Sequence, residues 1–159
     1  MYPSSSEGLN KETDEVVYFF SPAFYCFDNF SAHQITIWNI TFPTSEHAFQ
    51  WKKFSEVRPD LAASILIATS PEAVKKISEA NKPNQPSNWN DIRVNIMEEI
   101  LRAKAEQHWD MKDALKRSGN RQIIENSPFD SFWGIGPDGQ GQNMLGKTLM
   151  KIRDQMTNL

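Results

Sequence analysis

Residues 35–54 read ITIWNITFPTSEHAFQWKKF, and the spacing of the apolar side chains changes within this stretch. Up to residue 42 the apolar residues alternate, as in a strand, and their parity shifts at Trp38-Asn39. That shift predicts a tight hairpin turn, in which Asn39 takes the left-handed conformation. After Pro43 the spacing becomes helical and largely stays so. The stretch therefore predicts a β-hairpin followed directly by a helix, with Thr44 or Ser45 as the helix cap.

The rest of the chain predicts further helices and few strands. The apolar run VVYFF at residues 16–20 predicts a buried strand. Further along the chain, after the hairpin, only Gln122–Ile124 has a strand-like pattern. Helical spacing and first-turn prolines predict five or six helices, at about 44–56, 59–69, 71–79, 88–107, 109–116 and 143–156. A parallel α/β fold would need strands interleaved with these helices. We therefore predict a mostly helical α+β domain over residues 16–159, with a few N-terminal strands, after a flexible tail of residues 1–15.

Composition and charge exclude several classes of protein. The 159 residues carry a net charge of -3 without long runs of either sign, which disfavours binding along a long nucleic acid but leaves a short one open. No apolar stretch approaches the roughly 20 residues needed to cross a membrane, and the start of the chain lacks the pattern of a secretory signal. A cytoplasmic protein without membrane contact is expected. Cys26 is the single cysteine, which excludes an internal disulfide.

The first candidate for chemistry is a polar stripe on the predicted helix after Pro43. Glu46, Gln50 and Lys53 follow the i, i+4, i+7 spacing and should share one helix face. Glu46 falls in the first turn, where the helix dipole favours a carboxylate. The stripe could be an ordinary solvated edge. The aromatic residues of the same helix leave little of its surface for water, however, and this favours a polar face that lines a cleft.

The second candidate is the segment from Asp130 to Asn143. Five of the seven glycines in the chain lie between Gly134 and Gly146, so the backbone there must turn tightly or be closely approached. A structural loop would explain the glycines, but it does not explain Asp130, Trp133 and Asn143 beside them. The dinucleotide-like spacing that begins at Gly134 lacks a preceding strand of a βαβ unit, and we interpret it as accidental. Contact of the glycine amides with a sugar or phosphate is the weaker expectation.

The remaining features add one aromatic residue and argue against several mechanisms. Trp89 opens the long predicted helix, where a core tryptophan is the alternative to an aromatic platform for a flat heterocycle. The three histidines show no metal-ligand spacing, so we expect no metal and no other cofactor. The chain also lacks the Gly-x-Ser-x-Gly elbow of serine hydrolases and the phosphate-binding loop of nucleoside triphosphatases.

The same segments, taken in order, resemble the NADAR family. The resemblance extends over about residues 16–156 and is highly specific. It is carried by Phe19-x-Ser21, Asp28-Asn29-Phe30-Ser31, Phe42 to Gln50 with Lys53-Phe54, Ser70-Pro71, Asn88-Trp89, Met97, Leu101 to Lys104, and the run from Asp130 through Gly146 to Met150. Around residues 81–87 the chain departs from the family, because an arginine-rich pattern there is reduced to Lys82.

The resemblance implies an N-glycosidase. Family members cleave ribosylamino-pyrimidine phosphates of early riboflavin synthesis or remove ADP-ribose from guanine. By the same resemblance, the expected catalytic residues are Glu46, Asp130 and a covalently acting Lys53. The expected substrate-binding residues are Trp89, Trp133, Asn29, Phe30, Gln50, Gly134 and Asn143.

These residue types suit cleavage of a ribose C1–nitrogen bond. The transition state resembles an oxocarbenium ion, which needs nearby negative charge, a proton for the leaving nitrogen and a positioned water. Glu46 or Asp130 would stabilise the cation while the other assists the leaving base, or Lys53 would attack C1 and form a Schiff base. Both routes require the two carboxylates to meet at one pocket with aromatic walls.

Three other functions stay open at this point. A non-catalytic module that binds ADP-ribose or another nucleotide would keep the tryptophans and the glycine turn, but it has little need of two carboxylates and a lysine. An enzyme acting on modified DNA or RNA would be restricted to an end or a short single strand. A helical interaction protein would present an exposed apolar groove and bind no small ligand.

Overall fold

The computed structural model describes residues 9–20 and 25–156, and this part of the chain contains five strands and six helices. The strands are β1 (Lys11–Glu12), β2 (Val16–Phe19), β3 (Ile35–Ile37), β4 (Ile40–Phe42) and β5 (Gln122–Glu125). The helices are α1 (Ser45–Phe54), α2 (Pro59–Ile67), α3 (Pro71–Ala80), α4 (Trp89–Gln107), α5 (Trp109–Ser118) and α6 (Met144–Met156), with a 3-10 helix at Lys82–Asn84 before α4. The α+β class predicted from the sequence is confirmed.

The chain divides into two compact units. Ala32–Gln107 forms one, which we call the hairpin unit because it contains β3 and β4. The segments before residue 32 and after residue 107 form the other, called the sheet unit, which contains β1, β2 and β5. None of the helices in the described residues is long and apolar enough to cross a membrane.

The sheet unit is built around β2, which pairs antiparallel with β1 and parallel with β5. Val17 and Phe19 are buried, as the run of apolar residues predicts. Lys11 and Glu12 pair with Tyr18 and Val17, so the prediction of a flexible tail up to residue 15 is wrong for this part. The physical reason is that a strand edge binds a neighbour through backbone groups, which polar side chains also provide. Residues 1–8 of the predicted tail, and Ser21, lie outside the described residues.

The hairpin unit begins with the turn that the parity shift predicts. Trp38 and Asn39 both have positive φ, 53° and 61°, which matches the twist of a two-residue hairpin loop. The Trp38 ring stacks on Trp51 of α1 at 6.1 Å between centroids. Gln107 at the end of α4 exchanges two 2.8 Å hydrogen bonds with the Thr36 backbone, and these attach the hairpin to α4.

Helix α1 lies at the centre of the hairpin unit and packs against α2, α3 and α4. Phe54 at its C-terminal end joins Ala62, Ile65 and Val74 in a buried apolar cluster. Seven of its residues are buried, namely Ser45, Glu46, His47, Ala48, Phe49, Gln50 and Phe54. Several of these are polar, and a buried polar side chain generally takes a hydrogen-bond partner inside the protein.

The start of α1 depends on Thr44. Its hydroxyl accepts a hydrogen bond from the His47 amide, as expected of an N-cap. We expect Thr44→Ala to lower the free energy of unfolding by about 1–3 kcal/mol, because the His47 amide loses its acceptor and the buried Nδ1 of His47 loses its donor. Urea denaturation measures the change. Thr69→Ala, at an exposed position, is the control, and equal midpoints for the two variants would contradict the assignment.

Candidate active site

Glu46 lies in the first turn of α1 and is 8% exposed. The positive end of the helix dipole favours the ionised form of a carboxylate at this position. Its Oε1 accepts a 2.9 Å hydrogen bond from Nε2 of Gln50, one turn further along the same helix. The predicted stripe on α1 therefore brings these two side chains into contact.

His47, next to Glu46, has a structural role. Its Nε2 lies 2.9 Å from the carbonyl oxygen of Ala68 and donates to it, so Nδ1 accepts from the Thr44 hydroxyl at 2.8 Å. Burial lowers the pKa of His47 below its usual range, which favours this neutral tautomer. The imidazole thus joins the start of α1 to the end of α2.

Lys53 continues the polar stripe through a residue of α3. The Lys53 Nζ donates to Oγ of Ser78 at 3.1 Å, and the Ser78 hydroxyl donates to Oε1 of Gln50 at 2.7 Å. Together with the bond from Gln50 to Glu46, these contacts form a continuous chain of hydrogen bonds from the amine to the carboxylate. We call Lys53, Ser78, Gln50 and Glu46 the polar chain. Ser78 was not among the site residues predicted from the sequence.

Trp89 forms an aromatic wall beside this chain. Its ring centroid lies 5.6 Å from Nζ of Lys53 and 5.0 Å from the centroid of Phe49. With 3% of its surface exposed, Trp89 is also a core residue, which was the alternative interpretation of its sequence position. An aromatic face next to a lysine amine attracts the ammonium form, while its apolar surface excludes water from the amine.

The pKa of Lys53 is lowered below its usual range. Burial is the main cause, since it disfavours the charged ammonium. The carboxylate of Glu46 acts in the opposite direction, and the positive charges of Lys82 and Arg93 lower the pKa further. A larger share of the amine is therefore neutral at a given pH than for a lysine in water, and the neutral amine is the nucleophile.

Lys82 and Arg93 place further positive charge near Lys53. Arg93 follows Trp89 by one turn of α4, so both residues share a face of that helix. Lys82 begins the 3-10 helix and is exposed. The sequence pointed to Lys82 through the departure from the family pattern. Arg93 was not predicted, although its i, i+4 spacing from Trp89 on the same helix could have indicated it.

In the sheet unit, Asp130 organises a turn at the start of the glycine-rich segment. Its Oδ1 accepts hydrogen bonds from the amides of Phe132 and Trp133 at 2.9 and 2.8 Å. Its own amide donates to Oγ of Ser127 at 3.0 Å. Asp130 is half-buried, and Oδ2 accepts no hydrogen bond from the residues that the structure describes. One carboxylate oxygen thus shapes the turn while the other is available for further contacts.

The glycines of this segment allow two stretches of its backbone to touch. A side chain at Gly134 would come within 2.8 Å of the Glu125 carbonyl oxygen, and one at Gly141 within 2.6 Å of the Gly134 carbonyl oxygen. The close approach that the glycine spacing predicts is therefore made by the protein's own backbone. Gly136 and Gly139 add the positive φ that the turns require.

Asn143 ends the segment and ties it to β5. It has a φ of 52°, its Oδ1 accepts from the Glu125 amide, and its Nδ2 donates to the Ile123 carbonyl, both at 2.9 Å. Both ends of its amide are thus used within the sheet unit. If Asn143 also contacts the substrate, as predicted, its Oδ1 or Nδ2 must bind the substrate in addition to β5.

Asn29 and Phe30 lie in a second turn of the sheet unit. The Phe30 amide donates to Oδ1 of Asp28 at 3.0 Å, and the Ser31 amide donates to the Asp28 carbonyl at 3.1 Å. Both predicted residues are half-buried. Asp28, which is 6% exposed, thus holds the backbone of Phe30 and Ser31 in place.

The predicted site residues thus form local groups. Glu46, Gln50, Lys53 and Trp89 come together in the hairpin unit around the polar chain. Asp130, Trp133, Gly134 and Asn143 belong to one hydrogen-bonded segment of the sheet unit. That Glu46 and Asp130 share one pocket stays a prediction.

Comparisons with known proteins identify the family. A model described as the NADAR domain matches residues 11–157. The chain is 38% identical over 136 residues to N-glycosidase Npun_R5314 of Nostoc punctiforme, covering 84% of this chain and 86% of that protein. It is 32% identical over 145 residues to N-glycosidase YbiA of Escherichia coli strain K12, covering 90% of this chain and 89% of the relative. The NMR structure of E. coli YbiA matches with a TM-score of 0.81 at 30% identity, covering 94% of this chain and 89% of that one.

A further relative is longer than this chain. It is a riboflavin biosynthesis protein of Vibrio vulnificus, 34% identical over 147 residues, and the match covers 90% of this chain but 39% of that protein.

Together, the fold and these relatives define a hydrolase that acts on N-glycosyl compounds. The chain belongs to the NADAR family.

The hydrogen bonds of Asn143 predict a stabilising role that is measurable apart from activity. Asn143→Asp keeps the shape of the side chain but replaces the donor to the Ile123 carbonyl by a carboxylate oxygen. We expect the free energy of unfolding to fall by about 1–3 kcal/mol, because a buried carbonyl loses its partner. Gln142→Glu, at the adjacent exposed position, is the matched control. Unchanged urea midpoints for both variants would show that these hydrogen bonds do not matter for stability.

Proposed function

We propose that the chain hydrolyses the bond between C1 of a ribose and a nitrogen of a heterocycle. The substrate is either a ribosylamino-pyrimidine phosphate or ADP-ribose attached to guanine. The observation that carries the proposal is the polar chain, in which a lysine of lowered pKa is joined to a buried carboxylate beside an aromatic ring. Both substrate classes contain the same reacting bond, a phosphorylated ribose and a flat leaving group.

Lys53 acts as the nucleophile in this proposal. Its neutral amine attacks C1, the C1–nitrogen bond breaks, and the electron pair of that bond leaves with the heterocycle. The attacking nitrogen loses a proton, and the leaving heterocycle takes one up. Opening of the ribose ring gives an imine between C1 and Nζ, which water hydrolyses to release the sugar and restore the amine. The lowered pKa of Lys53 supports this route, because it raises the share of neutral amine.

Glu46 stabilises the positive charge that develops on the ribose as the bond breaks. A buried carboxylate is effective here because water screens it less than at the surface. Gln50 occupies Oε1 of this carboxylate and fixes its orientation. Asp130 is the proposed second carboxylate, which serves the leaving base or the attacking water.

Lys82 and Arg93 are the proposed contacts for the substrate phosphate. Both add positive charge near Lys53, and guanidinium and ammonium groups are the usual partners of phosphate. In this chain they would replace the arginine-rich pattern of the family around residues 81–87. A phosphate held here would also bring the ribose close to the nucleophilic amine.

Release of the free heterocycle tests the function directly. The purified protein is incubated separately with a ribosylamino-pyrimidine phosphate and with guanine-linked ADP-ribose, and the released base is measured in each. Release from either substrate supports the proposal and identifies the substrate class. Binding of both substrates without release would contradict it and would favour a non-catalytic nucleotide-binding module.

Borohydride trapping during turnover tests the role of Lys53. We expect a covalent adduct between protein and sugar that maps to Lys53 and is absent in Lys53→Met. The rate of adduct formation should rise with pH and level off below the usual lysine pKa of 10.5, because the pKa of Lys53 is lowered and the neutral amine attacks. Lys52→Met removes the neighbouring lysine, whose amine lies over Trp38, and should keep the adduct. Turnover without any adduct would exclude the lysine route in favour of direct attack by water.

Glu46→Gln tests the electrostatic role of the carboxylate. The substitution keeps the side-chain shape but removes the charge, so we expect kcat to fall by about 100-fold or more, the scale of a lost charge-stabilising or acid–base group. Circular dichroism and thermal unfolding establish that the variant folds. Near-normal turnover would remove Glu46 from the mechanism.

Lys82→Met tests the proposed phosphate contact. Lys82 is exposed, so we expect an increase in KM of up to about fivefold, as an exposed ion pair is worth roughly 0.2–1 kcal/mol. The rise of adduct formation with pH should move to higher pH, since one cause of the lowered Lys53 pKa is removed. Lys76→Met, at an exposed position of α3, is the control. An equal increase in KM with a substrate that lacks the phosphate would contradict a phosphate contact.

A further inference from the structure

Ser78 occupies a position on α3 where the helical pattern calls for an apolar residue. It follows Val74 by four residues, and both are buried, Ser78 with 3% of its surface exposed. We propose that Ser78 is a positioning residue, whose hydroxyl restricts the directions in which the Lys53 amine presents its lone pair. This inference rests on the proposed function of Lys53 as nucleophile.

The direction of every hydrogen bond in the polar chain follows from the carboxylate at its end. An ionised Glu46 can only accept, so the side-chain amide of Gln50 must turn its Nε2 toward Glu46. Oε1 of Gln50 then faces Ser78 and accepts its hydroxyl proton. With its one proton committed, the Ser78 oxygen can only accept from Lys53.

This order of donors restricts the geometry of the nucleophile. A neutral amine carries two N–H bonds and one lone pair in a tetrahedral arrangement. Because one N–H must point at Ser78, the lone pair is restricted to the two remaining tetrahedral positions, both of which point away from Ser78. Without the Ser78 hydroxyl, the amine could rotate about its last bond and present the lone pair in several directions.

The polar chain controls position and does not conduct protons. Gln50 lies in its middle, and a side-chain amide would have to pass through a high-energy imidic acid form to relay a proton. Along the polar chain, the Glu46 carboxylate therefore affects the Lys53 amine through the orientations of Gln50 and Ser78 between them. Each bond of the chain restricts one rotatable group that would otherwise have to be ordered when substrate binds.

Ser78→Ala is the test, and Ser45→Ala is its matched control. Ser45 is also fully buried, but its hydroxyl has no hydrogen-bond partner among the described residues, so its removal breaks no bond. The measured quantity is the rate constant for borohydride-trapped adduct formation as a function of pH. We expect it to fall on the order of tenfold in Ser78→Ala, less than the roughly 100-fold that a 1 Å displacement of a reacting group can cost. Ser45→Ala should react like the wild type.

The pH profile separates positioning from a loss of structure. Ser78 accepts a hydrogen bond from Lys53, and such a bond is stronger to the charged ammonium than to the neutral amine. Its removal should therefore lower the pKa of Lys53 further, and the rise in adduct formation should move to lower pH. The charged groups that act on Lys53, namely Glu46, Lys82 and Arg93, are unchanged in the variant. A merely loosened structure would expose the amine to water and move the profile to higher pH.

Each outcome has one interpretation. A slower adduct with the profile at lower pH, restored in part by Ser78→Thr, supports the proposal. An unchanged rate, or a profile at higher pH with reduced thermal stability, overturns it. Absence of an adduct in the wild type would instead contradict the proposed role of Lys53, whether or not Ser78 orders the polar chain.

Discussion

Burial of the polar face of α1 is the constraint on which the candidate site depends. A helix in contact with three others has little surface left for water, so Glu46, Gln50 and Lys53 must find partners inside the protein. Gln50 and Ser78 provide them, and the result is an ordered series of donors that ends on a carboxylate. The same burial lowers the pKa of Lys53. Stability of the core and reactivity of the lysine therefore have one physical origin.

Patterns that are local in the sequence predicted local structure well. The change from alternating to helical spacing at Pro43 placed the hairpin and the start of α1, since both depend on nearby residues. The i, i+4, i+7 spacing also brought Glu46 and Gln50 together on α1. The parallel pairing of β2 with β5 was not predicted, because a parallel partner distant in the chain leaves no local signal. Ser78 was missed for the same reason, as its partners belong to another helix.

The glycine-rich segment shows how one pattern can have two causes. Its glycines predicted either tight turns or a close approach, and the backbone of the segment and of β5 makes that approach. The side-chain amide of Asn143 likewise forms its hydrogen bonds with β5. A rigid frame of this kind holds Asp130 and Trp133 at fixed positions, which suits residues proposed to meet a substrate. Composition alone could not distinguish a frame from a contact surface.

The order of the units along the chain has a consequence for biosynthesis. The hairpin unit is continuous, whereas the sheet unit is assembled from segments that precede and follow it. On a ribosome, the hairpin unit can complete its contacts as soon as residue 107 has emerged. Strand β2, although made earlier, gains its partner β5 only after residues 122–125 have been added. During that interval the apolar strand β2 has β1 beside one edge, while the edge that β5 later covers has no partner strand.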